Sequence, residues 1–227
     1  MKALVLFSGG VDSTTCLGLA IDKYGAENVT ALSVYYGQKH SKELEAAEKI
    51  AAYYGVSLRT LDLAVIFADS DCSLLKGSDA EIPKESYADQ LSDSNGGTVS
   101  TYVPFRNGLL LSTAASIALS KECSIIYYGV HSDDAAGAAY PDCTEVFNNA
   151  MNTAIYEGSG KQLHIEAPFV SCTKAEIVKK GLELGVPYEL TWSCYAGNDE
   201  PCGKCGTCID RENAFTANGI VDPLKNK

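Results

Sequence analysis

The sequence predicts an α/β fold: an open, mainly parallel five-stranded sheet with helices on both faces. Two observations predict it. Short apolar or β-branched runs alternate along the chain with longer segments whose apolar residues recur at helical spacing. That strand–helix–strand order indicates parallel pairing, because parallel neighbours need a crossover connection long enough to hold a helix. The 227 residues, 46% of them hydrophobic, suffice to cover one sizeable core.

The predicted strands and helices follow from local composition. Thr173 is a good helix N-cap, because Glu176 follows three residues later as in a capping box. Other helices are predicted through residues 16–21 and over 41–54, 108–120, 144–156 and 210–218. The β-branched, aromatic or apolar segments that predict strands are 3–7, 28–36, 57–63, 123–130 and 163–167.

A long irregular stretch interrupts this alternation at residues 68–100. It is rich in Asp, Ser, Gly and Lys and has no sustained period. Such a stretch inside a compact domain is commonly functional, so the sequence predicts a lid or mobile insertion. A passive surface insertion is the alternative.

Composition and charge disfavour two classes of partner. The net charge is −11, and no Lys/Arg cluster is longer than Lys179-Lys180, which disfavours nucleic acid. No apolar run approaches the ~20 residues that a membrane span needs, so we expect no membrane partner. The apolar start is too short for a signal peptide and is needed as the first strand, which predicts a cytoplasmic protein.

The loop Ser8–Ser13, with the sequence SGGVDS, is predicted to bind an anion. It lies between the first strand and the first helix, where two glycines allow a sharp turn and a close approach to a ligand. The N-terminus of a helix and the two serine hydroxyls favour phosphate there. The loop lacks the spacing of both the Walker phosphate loop and the G-x-G-x-x-G dinucleotide loop. An ordinary glycine-rich turn is the alternative.

Four of the nine cysteines lie close together as C-x7-C-x2-C-x2-C. Their spacing lets four thiolates converge on one cation, and four thiolates suit tetrahedral, structural zinc. An iron–sulfur cluster is the competing interpretation, because it also takes four cysteines, and free or disulfide-bonded cysteines are the third. The predicted ligands are Cys194, Cys202, Cys205 and Cys208.

The SGGVDS loop resembles the pyrophosphate loop of the N-type ATP pyrophosphatases, the PP-loop superfamily. Members cleave ATP between its α and β phosphates and form an adenylate. The resemblance implies an adenine nucleotide alpha hydrolase-like, Rossmann-like fold, and it places Asp12 near magnesium bound with ATP. The ATP-binding residues that it implies are Phe7, Ser8, Gly9, Gly10, Val11, Asp12, Ser13, Thr14, Thr15, Cys16 and Leu17.

Motifs along nearly the whole chain resemble the 7-cyano-7-deazaguanine synthase family of queuosine biosynthesis. They are FSGGVDSTTCL at the start, then YYGQKH, VPFRN, GVHSDD, YPDC, SCY and the closing C-G-x-C-x-x-C. The resemblance implies a homodimeric ligase that converts 7-carboxy-7-deazaguanine and ammonia into 7-cyano-7-deazaguanine with ATP. It also implies an ATP-binding domain over residues 1–190 and a zinc-binding segment over 191–227.

The resemblance assigns residues to the chemistry. Asp12, Arg106 and Lys174 are the expected catalytic residues, and the deazapurine is expected to contact Arg106, Asp133, Tyr140 and Asp142. His40 is a candidate neighbour of the nucleotide. The chain departs from the family pattern at two positions, where Val11 replaces a common Gln and Thr144 replaces Arg.

Two alternative functions stay open at this stage. A PP-loop enzyme that transfers sulfur to tRNA shares the loop, and it would use Cys16 or another cysteine as a persulfide carrier. A nucleotide-binding regulatory module is the non-catalytic alternative. ATP turnover with and without the deazapurine acid separates the three.

Overall fold

Five parallel strands form one open sheet in the order β3–β2–β1–β4–β5. The computed structural model describes residues 1–85, 90, 98–136 and 139–226. The predicted fold class is confirmed, since every described strand pair is parallel. The strands are β1 (Lys2–Leu6), β2 (Val29–Tyr35), β3 (Ser57–Asp62), β4 (Cys123–Tyr127) and β5 (His164–Glu166).

Helices cover both faces of the sheet because side chains alternate along the central strand. Ala3 and Val5 of β1 enter the apolar cluster that includes α1 and α2. Leu4 and Leu6 point the other way, into the cluster that includes α3 and α5. The helices are α1 (Val11–Tyr24), α2 (Lys42–Tyr54), α3 (Arg106–Ser120), α4 (Ser132–Ala135), α5 (Glu145–Gly158), α6 (Lys174–Glu183) and α7 (Gly206–Ala217).

Among the described residues no helix is both long and apolar enough to cross a membrane. Short 3₁₀ turns connect several of the strands and helices. The 3₁₀ turns are Ala26–Asn28, Ala64–Phe67, Pro141–Cys143, Tyr188–Leu190 and Pro223–Asn226.

Two helices begin earlier than the sequence predicts. Helix α3 begins at Arg106, not at residue 108, because Phe105 takes a left-handed conformation (φ 54°) and turns the chain directly into the helix. Helix α7 begins at Gly206, not at residue 210, so its first turn follows Cys205 at once. The capping box of Thr173 and Glu176 is confirmed at the start of α6.

The described parts of the stretch 68–100 pack against the chain beyond β2. Ser73 donates its backbone N–H to Ser100, which joins the two ends of the stretch. The backbone N–H of Lys39 donates to Leu74, and Leu75 contributes to a small apolar cluster. The predicted lid falls partly on residues 86–89 and 91–97, which lie outside the described residues.

Candidate active site

A cavity of about 220 Å³ opens at the carboxyl ends of β1, β2 and β4. Strands β2 and β3 lie on one side of β1, and β4 and β5 lie on the other, so the strand order reverses between β1 and β4; ligands of open α/β sheets bind at such a switch point. One part of the wall is apolar, with Leu6, Leu32, Val34 and Val130. The polar lining comes from Ser8, Asp12, Ser13, Tyr36, Gln38, Glu43, Arg106, Asn107, Asp134, Lys174 and Tyr195.

Gly9 fixes the loop between β1 and α1 close to α2. It has a positive φ of 87°, and a Cβ there would lie 2.5 Å from the carbonyl oxygen of Glu43 and 2.7 Å from the backbone nitrogen of Ala47. Only glycine fits that approach without displacing backbone. The carbonyl of Gly9 also accepts the N–H of Trp192, at 3.0 Å. The loop is therefore held between the first turn of α2 and the segment that carries the cysteines.

The predicted ATP-binding residues divide into two groups. Phe7, Ser8, Gly10, Asp12 and Ser13 line the cavity, and the hydroxyls of Ser8 and Ser13 lie 3.1 Å apart. The rest, apart from Gly9, are buried behind the loop and support its shape. They are Val11, Thr14, Thr15, Cys16 and Leu17.

Asp12 and Lys174 form the charged centre of the loop side. The ammonium nitrogen of Lys174 lies 3.1 Å from Oδ2 of Asp12, and the lysine is only 8% exposed. Burial by itself would raise the pKa of Asp12, but Lys174 and His131 together hold it below its usual value. Burial disfavours the charge of Lys174, yet Asp12 and Asp134 hold its pKa above the usual value. Both groups are therefore ionised at neutral pH.

One oxygen of this centre has no hydrogen-bond partner among the residues that the structure describes. Oδ1 of Asp12 is buried without a hydrogen bond, while Oδ2 faces Lys174. His131 is 1% exposed, and its Nε2 lies 3.8 Å from Asp12 and 3.3 Å from Asp134. A buried carboxylate oxygen without a donor suits a cation or a ligand proton.

Arg106 forms a second polar group in the same cavity. Its Nη1 donates to the hydroxyl of Tyr36 at 3.2 Å, and its guanidinium lies 5.1 Å from the centre of that ring. Burial raises the pKa of Tyr36 to about 12, although Arg106 acts against it. The carboxylate of Glu43 faces the same guanidinium. Arg106 is therefore a cation fixed by an aromatic neighbour, suited to an anionic substrate group.

The other predicted substrate residues lie outside the set that lines the cavity, and they bond to backbone and side-chain groups of the protein. Asp133 is exposed, and its Oδ2 accepts the N–H of Lys174 at 2.8 Å. Asp142 is buried, and its Oδ2 accepts the N–H of Asn107 at 2.9 Å. The hydroxyls of Tyr140 and Thr101 lie 2.5 Å apart. Asp133 thus orients the start of α6, and Asp142 the start of α3.

The two positions that depart from the family pattern have structural partners. Thr144 is the N-cap of α5, and its side chain accepts the N–H of Phe147. Val11 is buried in an apolar cluster with Val178 and Phe215. Neither side chain lines the cavity.

The four predicted metal ligands converge at the start of α7. The Sγ atoms of Cys194, Cys202, Cys205 and Cys208 all lie within 4.8 Å of one another. Backbone N–H groups of Ala196 and Cys202 donate to the sulfur of Cys194. A tetrahedron of roughly 2.3 Å bonds has edges of about 3.8 Å, so the set fits one ion.

His40 lies beside this metal set and not beside the loop. A Cβ at Gly197 would lie 2.4 Å from the Cβ of His40, which puts the imidazole against the cysteine segment. Burial lowers the pKa of His40. The histidine therefore packs where the segment 194–205 turns back on itself.

Sequence reasoning missed several residues of the cavity. Glu43 reads as an ordinary acidic residue in the first turn of a helix, where such residues are common. His131 and Asp134 stand beside Asp133 in the HSDD motif, and no local pattern distinguishes their roles. Tyr36 and Gln38 stand within the YYGQKH motif, but no chemistry was assigned to them. Tertiary structure brings Glu43, Asp134, Tyr36 and Gln38 to the lining of one cavity and places His131 behind it, against Asp12 and Asp134.

Comparison with known proteins gives consistent matches. The family profile described as "Queuosine biosynthesis protein QueC" matches residues 2–219. The protein named 7-cyano-7-deazaguanine synthase from Archaeoglobus fulgidus is 45% identical over 99% of this chain and 90% of its own length. Proteins of the same name from Marinomonas sp. and Caldicellulosiruptor bescii are 43% and 42% identical, each over 99% of this chain and 97% of their own.

Among solved structures, the U34-tRNA thiolase NcsA from Methanococcus maripaludis with its 4Fe-4S cluster is 16% identical, with a TM-score of 0.47. The match covers 86% of this chain and 60% of the thiolase.

Proposed function

The chain belongs to the queuosine biosynthesis protein QueC family, and we propose that its cavity converts 7-carboxy-7-deazaguanine and ammonia into 7-cyano-7-deazaguanine with ATP. The observation that carries the proposal is the joint lining of one cavity by the SGGVDS loop and Arg106. The loop suits the phosphates of ATP, and the guanidinium suits a carboxylate. Both reacting groups can therefore lie next to each other in one cavity.

The reaction needs two activations at this one site. A carboxylate resists ammonia because its leaving group would be oxide, so transfer to AMP supplies a better leaving group. Ammonia then gives the amide, and adenylation of the amide oxygen lets that oxygen leave as AMP and produces the nitrile. Lys174 and Arg106 are the cations available to neutralise charge that develops on phosphate and carboxylate oxygens. One loop serves both steps, because each places an oxygen nucleophile against the α-phosphate.

Magnesium bound with ATP fits the loop side of the cavity. Asp12 offers Oδ1, which is buried without a partner, and hard cations prefer such oxygen ligands. Magnesium at this position would supply positive charge to the phosphates. Lys174 keeps Oδ2 of the same carboxylate occupied, so the free oxygen is held in one orientation.

We assign structural zinc to the cysteine set. Four sulfurs with the separations of a single tetrahedral ion leave no open coordination position for substrate. Zinc there would supply a crosslink between the segment after Trp192 and the first turn of α7. Elemental analysis of the purified protein tests this, with about one zinc per chain as the expected result. Iron with a visible chromophore would contradict it.

The sulfur-transfer alternative loses Cys16 as a candidate carrier residue. Cys16 is fully buried in α1, and burial together with Asp12 raises the pKa of its thiol well above the usual value. A persulfide carrier needs an accessible thiolate. The regulatory alternative is tested by turnover itself, since a sensor does not consume ATP in proportion to product.

Phosphorus NMR of the reaction products tests the adenylation chemistry. We expect AMP and pyrophosphate, formed only when the deazapurine acid is present. ADP and orthophosphate as the stoichiometric products would contradict the proposal, and so would ATP turnover that is independent of the acid.

The synthetic primary amide tests the second activation. The purified enzyme should convert it to the nitrile without added ammonia and consume one ATP per product. An amide that is never turned over would rule out the two-step route. The homodimer and the cytoplasmic location remain predictions, and light scattering during size exclusion measures the first.

A further inference from the structure

We infer, on the basis of the proposed function, that Glu43 is the base that takes a proton from ammonium and delivers free ammonia to the adenylate. Ammonia in neutral water is mainly ammonium, which has no lone pair and is no nucleophile. An enzyme that uses ammonia from solution therefore needs a proton acceptor inside its cavity. Of the carboxylates that line the cavity, Glu43 is the one without an ion-pair partner among the described residues.

The position of Glu43 is fixed by the backbone around it. It lies in the first turn of α2, where its carbonyl faces Gly9 of the phosphate loop at a distance that excludes a Cβ. Its carboxylate lines the same cavity as Arg106, Tyr36 and the loop. The acceptor is therefore next to the place where the adenylate forms.

The carboxylate of Glu43 is without a hydrogen-bond donor among the described residues. The charged and titratable groups that face it are Arg106 from α3 and Tyr36 from the end of β2. Arg106 donates a hydrogen bond to Tyr36, and it forms no ion pair with Glu43. The neighbouring Lys42 on α2 pairs with Asp199 instead. A small cation can therefore occupy the space beside Glu43.

Three other carboxylates near the cavity already have protein partners. Asp12 is paired with Lys174, Asp134 faces His131, and Asp142 accepts a backbone N–H. Burial raises the pKa of Glu43 to about 7, in spite of Arg106. A base with a pKa near the working pH is both ionised and able to hold a proton. A cavity of low dielectric also favours the neutral pair of carboxylic acid and ammonia over the two ions.

The step balances as follows. One N–H bond of ammonium breaks, its electron pair stays on nitrogen, and the proton goes to an oxygen of Glu43. The nitrogen lone pair then forms the bond to the acyl carbon, and the bond from that carbon to the AMP oxygen breaks with its electrons on AMP. The nitrogen releases a second proton to water. Glu43 loses its own proton to water through the open mouth of the cavity before the next turnover.

A substitution of Glu43→Gln separates proton transfer from substrate binding. Exchange of labelled pyrophosphate into ATP, with the deazapurine acid and without ammonia, measures adenylation alone, and amide formation with ammonium salts measures the second step. We expect exchange to change by less than about threefold and amide formation at pH 7 to fall about 100-fold. Glu45→Gln is the matched control, because Glu45 is exposed on the same helix and bonds Ser41.

The dependence of amide formation on pH distinguishes a base from a residue that only supports the structure. Wild-type amide formation should fall below about pH 7, where Glu43 becomes protonated, and level off above it. In the Glu43→Gln variant it should rise about tenfold per pH unit, with the concentration of free ammonia.

Three outcomes would overturn the inference. Loss of exchange in the variant would mean that Glu43 binds the deazapurine. Unchanged amide formation at pH 7, or a loss that high pH does not restore, would mean that it is no base. Absence of acid-dependent exchange in the wild type would overturn the proposed function itself, and a melting temperature that matches the wild type shows that the variant is folded.

Discussion

The cavity of the SGGVDS loop and the region around α7 differ in how their polar side chains are hydrogen-bonded. On one side lies the cavity of the SGGVDS loop, where Oδ1 of Asp12 is buried without a hydrogen-bond partner and the half-buried carboxylate of Glu43 has no donor in the described part of the protein. On the other side lies the cysteine set with α7. There the buried cation is Arg211, and each of its three nitrogens donates.

Arg211 donates hydrogen bonds to protein acceptors from all three of its nitrogens. It is 3% exposed, and Nε and Nη2 bind the two oxygens of Asp222 at 2.7 and 2.8 Å. Nη1 donates to Thr191 at 2.7 Å, and Nη2 also donates to the carbonyl of Tyr188. This arrangement holds the chain after α7 onto the segment before the cysteines.

The difference separates function from stability. An unpartnered buried carboxylate costs free energy that the fold does not recover, so it is expected where a ligand completes the site. A closed set of buried partners stabilises the chain and has no capacity for a ligand. Substitutions in the cavity should therefore reduce turnover, and substitutions around the cysteines should reduce stability first.

The largest effect is expected from Cys205→Ser. Metal binding and folding are coupled, so the loss of one of four ligands should lower the melting temperature and solubility strongly, before any change in chemistry. Differential scanning fluorimetry and zinc content measure this, with Cys123→Ser as a control away from the metal set. Full activity and an unchanged melting temperature after complete metal removal would contradict the structural role.

A smaller loss of stability is expected from Arg211→Ala. The substitution leaves Asp222 buried without its cation, which costs about 3–5 kcal/mol. That corresponds to a fall in melting temperature of about 10 °C for a chain of this size. The double variant Arg211→Met with Asp222→Leu should recover much of the loss, since no unpaired charge remains. If Arg211→Ala were as stable as the wild type, the ion pair of Arg211 and Asp222 would not stabilise the fold.

Asp12→Asn should give the opposite pattern. The amide keeps the shape of the side chain, and Asp134 still faces Lys174, so we expect a melting temperature within a few degrees of the wild type. Turnover of ATP should fall about 100-fold, because the site loses a charge that orients the phosphates. Asp22→Asn, exposed on the same helix, is the control. A collapse in stability as large as that of Arg211→Ala would mean that the cavity also supports the fold.

The sequence predicted the fold and the metal set better than it predicted the cavity. Strands, helices and the C-x7-C-x2-C-x2-C spacing are local patterns, and the structure places all four sulfurs together. The phosphate loop is local as well. Glu43 and His131 were missed because residues far away in sequence surround them in the structure. Nothing in a helix start or a strand exit shows which side chain faces the site.

The smallest effect is expected from Thr173→Ala. This residue tests the comparison because it is hydrogen-bonded within the protein and yet stands next to a residue of the cavity. Thr173 precedes Lys174 directly, yet its polar atoms are satisfied: its N–H and hydroxyl both donate to Oε2 of Glu176, at 2.8 and 2.9 Å. If a residue with all its hydrogen-bond partners inside the protein serves stability, then Thr173 is structural although it adjoins the cavity. Loss of an N-cap costs about 1 kcal/mol, or about 3 °C in melting temperature.

Thr144→Ala is the matched control for that variant, because Thr144 caps α5 and does not line the cavity. Both variants should lose similar stability, and both should keep the KM for ATP within about twofold, as for surface caps that touch no ligand. The control guards against a general effect of weaker helices on turnover. A raised KM in Thr173→Ala alone would show that the cap also aims Lys174 at the phosphates. Hydrogen-bond satisfaction would then fail as a guide to function within one residue of the site.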